Sequence, residues 1–312
     1  MLNELINFLK EKYITQEKLN EIINIYKKKS ENLNIPNFHG FLFYLYENEY
    51  FIKIGSFQNN ELIKFNLKEN NDKLFIYSSG FLHDIIINKI LNNNKLPFFI
   101  KYFDFDYSDK NSILVMEYVP LSFHTYLMNN VNKETLDILL IQIIFLIHIL
   151  QKKYKFMHLD MSVKNILLEK TNKKYIKFKI NEKFYKIPTF GFIIKLIDFS
   201  TSQIHKLNKK PIIIKNIIYE QNKYNNIEKR KVSLKHYLYY LKDNSIYDDK
   251  IDLFLLMFYS NIYPKMKQSI LYNEYDKIMK GISYNNYQRS ISPSVFINQS
   301  DYVKKYLMEK ND

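Results

Sequence analysis

The residues best suited to chemistry stand in two short segments. In 156–168, His158, Asp160 and Asn165 are spaced H-x-D-x-x-x-x-N, in a polar loop that runs into the apolar residues Ile166, Leu167 and Leu168. A carboxylate at the second of these positions can accept or orient the proton of an attacking hydroxyl, and an amide further along the same loop can coordinate a metal ion held on phosphates. The second segment, 194–200, is an apolar run ending in Asp198, Phe199 and Ser200, whose carboxylate supplies another oxygen ligand. An H-x-D in a polar loop also arises by chance, and Asp-Phe at a strand end is common; the pair gains weight from its order.

These side chains need elements to hold them. Residues 2–29 carry apolar positions at helical spacing (Leu9, Leu19, Ile22, Ile23) among Lys and Glu, which predicts an amphipathic helical extension over 1–35. From 38 to 77 the pattern changes to short runs rich in Phe, Tyr and Ile, at 41–46, 50–54, 61–67 and 73–77, which predict a small antiparallel sheet. A helix follows, with Leu82, Ile85, Ile86, Ile90 and Leu91 as its apolar positions, and then a strand over 113–118. The rest reads as mostly helical: a long apolar helix over 133–152, a second buried one over 250–260, and amphipathic ones over 265–280 and 300–310. The expected class is α+β, divided as 1–35, 36–119 and 120–312.

The order of these segments resembles the protein kinase superfamily. The loop with Asp160 and Asn165 resembles the catalytic loop, Asp198-Phe199-Ser200 the D-F-G motif, 113–119 the segment that meets adenine, and 247–257 the start of a large buried helix. The insertion between Asn165 and Asp198, with strands expected at 175–180 and 184–187, and no A-P-E after Ser200, is similar to the haspin-like kinases and to Ser/Thr protein kinases of large DNA viruses. The resemblance covers roughly residues 40–260. It implies a bilobal fold, with a small antiparallel sheet and one helix in the first lobe and a larger, mainly helical second lobe.

The resemblance also implies roles. Asp160 would be the base, Asn165 and Asp198 would hold Mg2+, and Met116, Glu117 and Val119 would border the adenine of ATP. Asp252 would accept hydrogen bonds from backbone N–H groups of the catalytic loop. Lys53, in Phe51-Ile52-Lys53, resembles the strand lysine on the α- and β-phosphates, with Lys64 as its rival. Lys164 would put positive charge on the transferring phosphate.

Several positions depart from the family. Only Gly40 remains of the glycine-rich loop; Asp84 stands where the helix acid is normally Glu; Ser200 replaces the Gly of D-F-G; and the Arg of the catalytic loop is Leu159. Asp84 is open between pairing with the lysine and facing solvent. The implied function is transfer of the ATP γ-phosphate to Ser or Thr hydroxyls of a protein substrate. The alternatives are a pseudokinase serving as a binding module and a small-molecule kinase of the same fold.

Bulk properties bound this reading. The 312 residues are 46% hydrophobic, ample for a core, and carry a formal charge of +14 that suits acidic partners, nucleic acid or acidic protein. The skew toward Ile, Asn, Lys and Tyr, with five Gly and no Trp, is what an AT-rich coding sequence gives, so single Lys and Asn residues carry little weight. With no Cys there is no disulfide, thiolate or Cys-ligated zinc chemistry. The greasiest stretch, 136–150, contains Asp137, Gln142 and His148 and is expected to be a buried core helix rather than a membrane span. A cytoplasmic protein is expected, in the host cell or virion if viral.

Overall fold

The computed structural model describes residues 2–33, 41–56, 66–70, 73–78, 80–93, 96–129, 131–180, 182–207, 212–216, 246–283, 287 and 289–306. Two helices open the chain, α1 (Leu2–Glu11) and α2 (Gln16–Lys29). The Thr15 hydroxyl accepts the Lys18 N–H at the start of α2, and Lys27, Lys28 and Lys29 sit at its negative end.

After the short β1 (Glu31–Asn32), β2 (Phe41–Tyr46) and β3 (Tyr50–Ser56) form a hairpin. Three residues join them, 47–49; Glu47 and Asn48 have φ of 53° and 56°, the left-handed pair of a type I′ turn, which the Glu49 N–H closes on the Tyr46 carbonyl at 3.2 Å. Two further strands, β6 (Tyr102–Tyr107) and β7 (Asn111–Glu117), complete an antiparallel sheet in the order β1-β2-β3-β7-β6.

The N-terminal helices cover this sheet. Leu19 and Ile23 of α2 pack on Tyr44, Ile52, Ile54 and Ile113. Lys12 pairs with Asp104 and the Tyr13 hydroxyl donates to Asp109, which ties the junction of the helices to β6 and the β6–β7 turn. Burial of such aliphatic side chains contributes roughly 1.5–3 kcal/mol each, so the expected extension is part of the folded body.

The hairpin of β4 (Asn66–Asn70) and β5 (Lys73–Ser78) stands apart from that sheet, where a single sheet was expected. The edge of β3 is filled by β7 and the edge of β2 by β1, so β5 pairs in parallel with β14 (Ile212–Asn216) instead. With β8 (Phe156–Met157) and β13 (Gln203–Ile204) this gives a second sheet, in the order β4-β5-β14-β13-β8. Helix α3 (Gly80–Asn92), buried along most of its length, packs against β5 and β14 of this sheet and β6 of the first.

The second half is built around α5 (Lys133–Tyr154), capped by Asn132 and preceded by α4 (Phe123–Met128). By length and composition α5 could cross a membrane, but 89% of its most apolar window is buried inside the molecule. Around it lie α6 (Ile251–Ser260), α7 (Ile270–Met279), α8 (Pro293–Gln299) and α9 (Asp301–Lys304). The antiparallel pair β9 (Ile166–Lys170) and β12 (Phe192–Leu196) flanks the hairpin β10 (Tyr175–Ile180) and β11 (Lys183–Pro188). Phe178 and Tyr185 of that hairpin meet Phe145 of α5 with ring centroids 5.2 and 5.0 Å away. The architecture is α+β.

Candidate active site

Asp160 and Asn165 lie on the loop between β8 and β9, and they touch. The Asn165 Nδ2 donates to the Asp160 carbonyl at 2.8 Å and to its Oδ2 at 3.0 Å. Both amide hydrogens are thereby used, and the Asn165 Oδ1 is left without a partner among the described residues.

Asp252, on the first turn of α6 and fully buried, takes the His158 N–H at 2.8 Å and the Leu159 N–H at 3.0 Å. Leu159 has φ 62°, a conformation that costs an ordinary residue roughly 1–2 kcal/mol, and the two bonds fix it there. Burial raises the Asp252 carboxyl above its usual range, with His158 and the two N–H donors pulling it back. The loop is also stitched to the segment before Asp198, where the His158 Nε2–H donates to the Ile197 carbonyl at 3.1 Å and the Ile197 N–H to the Asn165 carbonyl at 3.1 Å.

Asp198 follows directly, with φ 61°. Burial would raise its pKa, but the Lys53 ammonium, the Ser200 hydroxyl and His158 outweigh burial and hold it below the usual carboxylate range. The Ser200 Oγ donates to Asp198 Oδ1 at 2.6 Å, a bond that the glycine expected at this position could not make. Lys53 is half-buried on β3, and its charge acts on Asp84 as well.

Asp84 points inward from α3 and is 4% exposed, so of its two expected settings the buried one is found. It accepts the Phe199 N–H at 2.9 Å and the Tyr102 hydroxyl at 2.9 Å. Burial pushes it up to about 6, against the pull of Lys53. Its neighbour His83, lowered to about 4 by burial, donates from Nε2 to the Ser202 carbonyl at 2.6 Å. The first turns of α3 therefore grip the Asp198 loop at two points.

On β7 and just beyond it, Met116 and Val119 are buried, and the Val119 N–H has no backbone acceptor among the described residues. The Glu117 carboxylate turns inward to the Lys195 Nζ at 3.3 Å and accepts the Lys101 N–H at 3.1 Å, so its side chain is spent on structure. Lys164 is exposed beside Asp160 on the rim of one cavity. Gly40 and Lys64 lie outside the described residues.

Sequence reasoning missed two participants, Lys195 and Tyr102, and the role of Ser200. Lys195, 3% exposed, is held by Glu117 and Glu169 at 3.3 Å each. Tyr102 orients Asp84, and Ser200 orients Asp198. A lysine inside the apolar run 192–196 was the one available signal.

The donors suit a magnesium–nucleotide complex. Asp198 is kept ionised and Asn165 offers a single oxygen, and Mg2+ in phosphoryl-transfer sites takes only one or two protein oxygens besides phosphates and water. Among the described residues no group of three or more His, Cys, Asp or Glu could hold a metal alone.

What the geometry defines is an α+β protein in which Asp160, Asn165, Asp198, Asp84 and Lys53 converge from four separate elements or loops. No family model matches the chain. A stretch of 61 residues is 43% identical to an uncharacterized Caenorhabditis elegans protein, ZK177.2, over 20% of this chain and 21% of that protein. The chain thus matches about a fifth of the length of this curated relative.

Proposed function

We propose that the chain is a bilobal, ATP- and Mg2+-dependent protein kinase that phosphorylates Ser or Thr. The single observation that carries the reading is the Phe199 N–H bond to Asp84 at 2.9 Å, because it joins the acid of α3 to the loop that carries Asp198, with the Lys53 charge acting on both carboxylates. Phosphoryl transfer relies on positioning and electrostatics, which is what such a cluster supplies.

In this reading Asp160 orients the acceptor hydroxyl and takes its proton, with Asn165 holding the carboxylate in place. Asp198 and the Asn165 Oδ1 would hold Mg2+, and the ion would supply charge neutralisation on the phosphates. Lys53 holds the α- and β-phosphates, and Lys164 places positive charge beside the transferring group. Val119 offers its N–H to adenine, with Met116 behind.

The test is transfer of labelled phosphate from ATP to a protein acceptor by the full chain, beside Asp160→Asn. The expected outcome is turnover by the wild type, a drop of at least about 10^3-fold in the variant, and nucleotide binding by both. Nucleotide binding without transfer by either protein would leave a binding module and sink the kinase reading.

A further inference from the structure

The acceptor side of Asp160 opens into a cavity of about 350 Å3, within the size range of ligand sites. Its walls are Asp160 and Lys164 from the catalytic loop and Phe258, Tyr259, Ile262 and Tyr263 from the end of α6 and the turn after it. Ile262 is 76% exposed and stands with Phe258 and Tyr259 on the same wall. Tyr263, by contrast, is fixed: it is buried and its hydroxyl pairs with the His124 Nδ1 at 2.7 Å. The wall thus presents aromatic and aliphatic side chains beside Asp160, with the polar Ser162 and Asn261 among them.

Charge narrows what can sit there. Among the described lining residues Asp160 is the one acid; it is engaged by Asn165 and, in the kinase reading, by the acceptor hydroxyl, which leaves none of them for a substrate Lys or Arg. The cation at the rim, Lys164, is exposed and repels them. The chain as a whole carries +14, which favours an acidic segment. An extended peptide advances about 3.3 Å per residue, so a cavity that shares Asp160 with the accepting hydroxyl is reached within roughly one to three residues of it.

Resting on the kinase reading, we propose that this cavity is a specificity site: it seats a bulky apolar side chain of the protein substrate, one to three residues from the phosphorylated hydroxyl, in a segment whose charged residues are acidic.

The experiment uses the full chain, ATP and Mg2+ with Ser-centred synthetic peptides. Each of the three positions on either side of the Ser carries Phe, Leu, Ala, Glu or Arg in turn. Burial of one such side chain is expected to raise kcat/KM about 10- to 100-fold for Phe or Leu over Ala at one position, chiefly through KM, with Arg below Ala. Ile262→Asp is expected to erase that preference, and its exposure means the melting temperature should hold. Phosphorylation without apolar preference, with Arg favoured, or with a preference that Ile262→Asp leaves intact overturns this proposal while the kinase reading stands. No transfer to any peptide or to protein acceptors, with nucleotide still bound, overturns both.

Discussion

The carboxylate of Asp84 accepts the backbone N–H of Phe199 at 2.9 Å, so the acid of α3 and the Asp198 loop are one hydrogen-bonded unit. Burial pushes Asp84 up to about 6, above the value near 4 of an unfolded carboxyl. The contribution of Asp84 to stability is therefore fully present below about pH 4 and lost as pH rises through about 6. Asp198, held below its usual value, acts in the opposite sense, and its contribution is lost as pH falls. In the proposed kinase reaction, the ionised Asp84 is the form that the Lys53 charge attracts, so kcat/KM should fall on the acid side with a midpoint near 6. Asp84→Asn should flatten that limb; a limb that survives in the variant assigns it to another group.

Asp252 holds two N–H groups of the loop that carries Asp160 and with them the left-handed Leu159. Hydrogen bonds to a charged group contribute about 1.5–3 kcal/mol each, so Asp252→Ala should cost at least about 3 kcal/mol in urea unfolding. Asp252→Asn, which can replace only one acceptor, should cost less. Equal costs would mean that the loop is held by packing alone.

Lys195 is buried between Glu117 and Glu169. Lys195→Met leaves Glu117 largely buried without its cation and should destabilise the protein by about 2–4 kcal/mol, while Lys195→Met combined with Glu117→Gln should recover part of that loss. Because Glu117 precedes Val119 at the proposed adenine contact, the single variant should also weaken nucleotide binding, which calorimetry would read.

Two protein oxygens do not make a metal site without phosphates. Mg2+ alone should leave the melting temperature unchanged, and should raise it only when ATP is present. Ser200→Ala removes the hydroxyl that orients Asp198, and losses of such partners typically weaken metal affinity about 10- to 100-fold. A titration of Mg2+ in the presence of ATP measures this; an unchanged affinity would reduce Ser200 to a loop residue.

Much of this arrangement was legible because local spacing encodes it. Alternation and turn residues marked β2, β3, β10 and β11, the long apolar run marked α5, and the spacing from Asp160 to Asn165 placed both on one loop. What spacing does not encode is the distant partner. The pairing of β5 with β14 joins segments far apart in sequence, and nothing in either run names the other. Strand β6 was missed because the aspartates and the 54% exposed Phe103 hide its alternation. Asp84 and Lys195 were open or unread for the same reason: a charged residue in an apolar context gives no sign of whether a counter-group waits across the fold, and here Lys53 and Glu117 do.

The parallel pairing of β5 with β14 also sets the timetable of synthesis. The β4–β5 hairpin has no second strand to join until residues 212–216 have left the ribosome, a delay on the order of ten seconds at about 5–20 residues per second. During that interval β5, with Leu74, Phe75, Ile76 and Tyr77 in a row, presents an unpaired backbone edge. The N-terminal helices and first sheet can assemble early, so the nascent chain passes through a half-built state that a chaperone, or a competing strand from another copy, can meet first.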